Sequence, residues 1–306
     1  MRSSRRAGPR PDRIPPVSAL EPPFGLAYSC AQSGASSVGT MLTSISDYPG
    51  YTEFCRRAAT DDACFAGFRE DPTYAAVVSS KLVYEGRDYF ALLQQRGFDP
   101  GFFASIAAHD RIGGVKLASF EAVGAVAPQT MRYVKVLSDL ERLFGSLDGA
   151  SIVEIGGGFG GQCAVIAKRF GFARYTLVDL AEPLQLARRY LETLSIANVE
   201  FARFDELPIN GRYDLVISCY ALSELSRTAQ VMHLQRVLLR ARAGYLLWNN
   251  EGMKQHRDWQ QQFFGAEMIY CDEMLSLLPG ARLADAEFLT PEDQVQDTRL
   301  IVWDGR

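Results

Sequence analysis

Ser151-Ile-Val-Glu-Ile-Gly-Gly-Gly-Phe-Gly-Gly-Gln162 joins an apolar run to a cluster of glycines and then to the apolar-periodic segment Cys163 to Phe170. The stretch reads as strand, tight turn and helix. Glycine suits such a turn because it accepts positive φ and lets backbone approach a ligand with no Cβ in the way. The helix that follows aims its free N–H groups at whatever occupies the turn. Five glycines within residues 156–161 would cost backbone entropy for no return in a joint that held no ligand. Gly156, Gly158 and Gly161 satisfy the G-x-G-x-x-G spacing of dinucleotide-binding turns, and Asp179 follows at the separation expected of an acid on a ribose.

Glu154 changes that balance. It stands two residues before the first glycine, and Glu154-x-Gly156-x-Gly158-x-Gly160 resembles motif I of class I S-adenosylmethionine-dependent methyltransferases. The resemblance implies that the acid orders the methionine end of the cofactor, often through water, and that the glycines make room for it. Gln162, in the first turn of the helix, either helps to fix the cofactor carboxylate or faces solvent.

The rest of the chain sets bounds on this reading. A chain of 306 residues buries a large core and suggests two domains. With 47% hydrophobic and 22% charged residues it has an ordinary globular composition, and a net charge of −4 gives no global attraction to nucleic acid. No apolar run is long enough to span a bilayer. Six scattered cysteines without C-x-x-C spacing argue against zinc and against a disulfide framework, and for a reducing, cytoplasmic setting. No adjacent acidic pair follows the fourth strand, so no metal site is expected; Asp61-Asp62 are read as facing water. Residues 1–25, rich in Arg and Pro, read as a disordered tail, and the Arg5-Arg6 pair lacks the apolar region of an export signal.

Residues 26–145 carry helical periodicity at Tyr51 to Ala59, Thr73 to Val83, Asp88 to Gln95, Pro100 to Ala107 and Pro128 to Phe144, and are expected to form a mainly helical cap on the acceptor side. His109 reads as a surface loop residue, with contact to a ligand as the other reading. In residues 146–306 strand and helix patterns alternate, which predicts an α/β, Rossmann-like parallel sheet with crossover helices. Its strands are read at Ser151 to Ile155, Tyr175 to Val178, Val199 to Ala202, Leu215 to Ser218, Tyr245 to Trp248, Arg282 to Phe288 and Arg299 to Trp303. The helices are read at Gln162 to Phe170, Pro183 to Thr193, Thr228 to Arg242, Gln255 to Phe264 and Cys271 to Leu278.

In such a sheet the ligand lies beyond the carboxyl ends of the strands. Asp179 ends the second strand, where one carboxylate accepts both protons of a ribose diol. Leu180 follows it as an adenine-packing candidate. Asp205 ends the third strand, at the position that the methyltransferase resemblance assigns to the adenine amino group, with Phe204 beside the ring. Ser218 and Tyr220 end the fourth, the first placed with the cofactor and the second with the substrate.

Glu154 to Gln162, Tyr175-Thr-Leu-Val-Asp-Leu180 and Asp214-Leu-Val-Ile-Ser-Cys-Tyr-Ala-Leu-Ser-Glu-Leu225, with the lead-in Ala127-Pro-Gln-Thr-Met-Arg-Tyr133, together resemble a family of sugar O-methyltransferases over about residues 120–250. The family often has Asn where this chain has Cys219, and the segment from His109 to Gly114 departs from its usual wording. The resemblance implies S-adenosyl-L-methionine as cofactor and methyl transfer to a hydroxyl of a sugar or glycosylated small molecule. Glu224 and His256 are the candidate bases, and Asn249 and Asn250 the candidate ligands for acceptor hydroxyls. His233 is expected to be structural or exposed. Beside the small-molecule acceptor, no nucleic-acid or membrane partner is expected, and a homo-oligomer is compatible with the reading. Two other readings stand: an NAD-dependent oxidoreductase, and a non-catalytic cofactor-binding partner protein.

Overall fold

Local chemistry starts the helices of the first half. The computed structural model describes residue 44 and residues 49–78, 83–208, 210–295 and 297–305; the expected tail, 1–25, lies outside them. Helix α1 (Pro49–Thr60) opens on a proline. Asp61 caps α2 (Asp62–Gly67) by accepting the Cys64 N–H at 2.7 Å, and Asp71 caps α3 (Pro72–Ala75) through the Thr73 N–H at 2.9 Å. There follow α4 (Val83–Gln95), α5 (Phe102–Ile106), the strands β1 (Ala118–Phe120) and β2 (Gly124–Val126), and α6 (Pro128–Phe144). The alternating half contains β3 (Ser151–Ile155), α7 (Gly161–Ala167), β4 (Arg174–Val178), α8 (Ala181–Thr193), β5 (Val199–Ala202), β6 (Tyr213–Cys219), α9 (Arg227–Arg236) and β7 (Ala241–Trp248). It ends with α10 (Arg257–Phe264), α11 (Cys271–Leu277), β8 (Arg282–Leu283), α12 (Pro291–Val295) and β9 (Arg299–Asp304).

The main sheet has seven strands in the order β5-β4-β3-β6-β7-β9-β8. Strands β3 to β7 all run parallel, while β9 runs antiparallel to both β7 and β8. The strand order reverses between β3 and β6, which opens a crevice at their carboxyl ends, the place where an open α/β sheet holds a ligand. Alternation along the strands divides the core. Ile152, Leu177, Ile217 and Tyr245 pack with Phe54, Tyr74, Leu93 and Leu137 of the helices on one face. Val153, Val178, Val216 and Ile301 pack with Leu234 and Met274 on the other. The described residues belong to one compact unit, so the change of architecture near residue 145 falls inside a shared core.

A buried charge cluster ties the helices to the sheet. Asp139 of α6 accepts from Arg96, just beyond α4, at 2.6 Å and from the Tyr245 hydroxyl of β7 at 2.6 Å, and it pairs with Lys135 at 2.7 Å. Between two neighbouring strands of the sheet, Gly244 of β7 lies flat under the Trp303 ring of β9. A Cβ there would stand 2.1 Å from the ring.

Four expectations need correction. The helix read from Thr73 to Val83 stops at Ala75 and α4 starts at Val83; β-branched Val77 and Val78 already lie past the last helical turn. Residues 118–126 form a hairpin where no strand was read, turning through Ala122 at φ 64° and Gly124 at φ 91°. The helix expected up to Arg242 ends at Arg236, because Val237 takes φ −121° and the chain enters β7 at Ala241. The strand expected from Arg282 to Phe288 keeps only Arg282 and Leu283. Phe288 leaves the sheet to lie buried beneath the Arg96 guanidinium.

Candidate functional site

The crevice is built from the ends of β3, β4 and β6. Gly156, Gly158 and Gly160 all take positive φ, at 75°, 54° and 86°. Ala221, just past β6, packs directly on Gly156, where a Cβ would come 2.0 Å from the Ala221 methyl. Gly158 is open by contrast. Its nearest neighbours are the Tyr74 hydroxyl and the Val78 methyls, at 3.9 Å or more from a Cβ position. Asp179 accepts the Gly158 N–H at 3.0 Å and the Leu180 N–H at 2.8 Å, so one carboxylate fixes both the loop after β3 and the start of α8. Phe159 anchors the same loop from behind, edge-on to Tyr190 at 4.8 Å and to Phe68 at 5.4 Å.

Glu154 is buried on the same face and accepts the Tyr175 hydroxyl at 2.8 Å. Burial raises its carboxyl to about 7, against the opposing pull of that hydroxyl and of the Arg132 charge. Burial likewise lifts Asp179 to about 6, despite its two backbone N–H bonds. Two raised carboxylates in one crevice suit a site that receives positive charge or hydroxyl donors. A carboxyl raised in the folded state gives stability that is complete below its ordinary value and is lost as pH climbs through the folded value. Glu154→Gln is therefore expected to stabilise the ligand-free protein at pH 8 by on the order of 3 kcal/mol and to have little effect near pH 4. Thermal melts at the two pH values check this; an equal shift at both would remove Glu154 ionisation as the cause.

The residues present fit a nucleoside with an amino-acid tail. Around the loop, the buried Tyr74 hydroxyl and the buried Gln162 Oε1 have no hydrogen-bond partner among the described residues, while Gln162 Nε2 donates to the Tyr133 carbonyl at 3.1 Å. Buried polar atoms left open in this way are places for ligand contacts. Leu180, half-buried, occupies the N-cap position of α8 without a side-chain cap bond.

The other expected residues are held by contacts of their own. Ser218 is buried, donating to the Ile155 carbonyl and accepting the Leu222 N–H, both at 3.1 Å; it joins β3 to the turn after β6. Phe204 packs on His233 at 4.0 Å, under the Arg236 guanidinium. Asp205 is exposed and paired with Arg203 at 2.6 Å. Asn249 holds the Ser223 hydroxyl at 2.7 Å. Asn250, expected to meet acceptor hydroxyls, is a correction: it is 0% exposed, accepts the Trp248 indole N–H and donates to the Ser223 and Ile269 carbonyls. Its amide is committed to the fold. His109 is another correction, since it is 2% exposed, and burial pulls its imidazole down to about 4. His233 is structural: it is buried, with Nδ1 at 2.8 Å from the Ala229 carbonyl.

At the end of β6, Tyr220 takes φ 75°, a conformation costly for an aromatic residue. Its hydroxyl donates to Asp293 at 3.3 Å, and its side chain hydrogen-bonds to Tyr89. Glu224 is half-buried on the turn that begins at Ala221; the cap of α9 falls to Ser226, not to Glu224. His256 is half-buried at the head of α10. Sequence reading missed Tyr74, Asp293 and Arg132. The available signals were Thr290-x-x-Asp293 as a capping box and Arg132 as a cation on an otherwise buried helix face. Among the described residues no cluster of His, Cys, Asp and Glu could hold a metal ion, and no helix is long and apolar enough to cross a membrane.

Residues 153–244 match the sequence profile of a family described as a methyltransferase domain. The fold is that of a class I methyltransferase. The match to the methyltransferase domain begins inside β3 and ends inside β7, so it takes in the glycine loop and Asp179. No curated protein matches the chain. Among solved structures, the methyltransferase in complex with the Trm112 activator of Haloferax volcanii is 19% identical, with a TM-score of 0.42 over 57% of this chain and 90% of that one. Magnesium protoporphyrin IX methyltransferase from Synechocystis PCC 6803 is 18% identical, with a TM-score of 0.41 over 57% and 83%. The pyocyanin biosynthetic protein PhzM is 18% identical, with a TM-score of 0.40 over 84% and 73%.

Proposed function

We propose that this chain transfers a methyl group from S-adenosylmethionine to a hydroxyl of a sugar or glycosylated small molecule. The observation that carries the cofactor reading is the pairing of an open glycine turn with two carboxylates, Glu154 and Asp179, at adjacent strand ends. In this reading Asp179 holds the ribose diol and Glu154 orders the methionine end. The acceptor reading is supported by the sequence resemblance over residues 120–250 and by hydroxyl-rich, hydrogen-bonding chemistry at the end of β6. When bound, the cofactor supplies an electrophilic methyl group. The chain's part is then to align an acceptor oxygen, an effect worth on the order of 7 to 11 kcal/mol at best, and to take its proton.

Tyr220 is assigned to the acceptor, held by Asp293 in its strained conformation. Glu224 is assigned as the base because its turn packs, through Ala221, against the glycine loop. His256 is the second candidate.

Calorimetric titration with S-adenosylhomocysteine beside NADH tests the cofactor. Binding of the first alone is expected; binding of NADH in its place, or of neither, would sink the reading. Asp179→Ala is expected to weaken S-adenosylhomocysteine about 10- to 100-fold, since it removes charge-assisted hydrogen bonds to the ribose. Incubation with S-adenosylmethionine and a panel of sugars, read by mass spectrometry, tests the acceptor, and a methylated amine in place of an ether would overturn it.

A further inference from the structure

We propose that Arg69 is a positioning residue: from the helical half of the chain it fixes Phe159, and Phe159 fixes the glycine loop in its binding conformation before a ligand arrives. The inference rests on the S-adenosylmethionine reading above and places no atom of Arg69 on the ligand. It starts from the sequence of the loop. Residues 156–161 are five glycines and Phe159, so a single side chain is available by which the rest of the protein can hold them. Gly158 and Gly160, on either side of that side chain, take φ 54° and 86°. Glycine backbone is the most costly to order, and a loop ordered in advance spares the ligand that cost.

Phe159 is buried among three rings, making T-shaped contacts with Tyr190 of α8 at 4.8 Å, Phe68 at 5.4 Å and Tyr133 of α6 at 6.1 Å. The Arg69 guanidinium lies over the Phe159 ring, 5.1 Å from its centroid. Phe68 and Arg69 are neighbours on one turn, Phe68–Glu70, of the helical half. Arg69 is in turn held against swinging away. Its side chain is 4% exposed and pairs with Asp110 at 3.2 Å, and its backbone N–H donates to the Gly113 carbonyl at 3.0 Å. Asp110 accepts the Ala127 N–H at 2.8 Å and the Thr130 hydroxyl at 2.6 Å, both at the start of α6. A line of contacts therefore runs from the first turn of α6 through Asp110 and Arg69 to the loop. An apolar side chain could fill the space over the ring, but a planar guanidinium also fixes direction, because Asp110 holds it while the ring meets its face.

Calorimetry with S-adenosylhomocysteine on the full chain tests this. Arg69→Met, which keeps bulk over the ring, is expected to weaken binding about 3- to 30-fold, and Arg69→Lys, which keeps the charge without the planar fork, by less. The signature that a merely structural role would not give is non-additivity. In a Phe159→Leu background, itself expected to bind more weakly, Arg69→Met is expected to cost no further affinity. Hydrogen exchange on the ligand-free protein supplies a second reading: amides of residues 156–161 are expected to exchange faster in Arg69→Met, while those of β7 keep their native rates. Should Arg69→Met not fold, Arg69→Lys takes its place in both measurements. Losses that add, exchange that rises throughout the sheet, or unchanged affinity in the variant would each overturn the proposal. Native protein that binds no S-adenosylhomocysteine would overturn the cofactor reading, while exchange would still decide whether Arg69 holds the loop.

Discussion

Gly156→Ala is expected to destabilise the protein by about 3 kcal/mol or more and to abolish measurable cofactor binding in what still folds. Two costs combine. The residue sits at φ 75°, where a Cβ meets the backbone, and the added methyl would lie 2.0 Å from that of Ala221. Neither neighbour yields easily. The Gly156 N–H is bonded to the Val178 carbonyl at 2.8 Å, and the turn carrying Ala221 is clasped by Ser218. Gly158→Ala is the control, because nothing lies within 3.9 Å of its Cβ position and only the positive-φ cost of about 1 kcal/mol remains. Urea unfolding of the two variants should separate them clearly. Equal losses would mean that backbone conformation alone, and not contact with Ala221, makes Gly156 necessary.

Asp139→Ala is expected to cost on the order of 3 to 5 kcal/mol, because it leaves Arg96 and Lys135 as buried cations without their carboxylate and strands the Tyr245 hydroxyl. The exposed pair Arg142–Glu287 is the contrast. Its side chains are 44% and 56% exposed, and Glu287→Ala should change stability by less than about 1 kcal/mol. Chemical denaturation with both variants checks the difference. A loss at Asp139 no larger than at Glu287 would show that water reaches the cluster and that helix α6 is held to β7 by apolar packing alone.

Legibility in the sequence followed how local the determining chemistry was. Strand β3 is covered on both faces and reads as an apolar run broken only by Glu154 and closed by the glycines, so its bounds were plain. Strand β7 was half-read, because Ala241, Ala243 and Gly244 among its first four residues are small, Gly244 where the Trp303 ring needs room, and small residues carry little strand signal. The hairpin at Ala118–Val126 has three residues a side and gives no period to count. At the site, the glycine turn and Asp179 announced themselves because positive φ and a strand-end acid are local requirements. Asn250 could not be read, since its burial depends on carbonyls at Ser223 and Ile269, distant in sequence. Arg132 was hidden for the same reason: its neighbours Tyr133 and Tyr220 meet only once α6 has packed beside β6.

The Trp303 ring stacked on Gly244 also governs what an optical experiment will see. All three tryptophans, Trp248, Trp259 and Trp303, fall after residue 247, on β7, α10 and β9. Indole emission will therefore follow the part of the sheet around β7 and β9, while the glycine loop, β3 to β5 and the helices before residue 145 contribute only tyrosine signal. A single tryptophan placed at Phe159, or calorimetry without any chromophore, is what would make events at the loop visible.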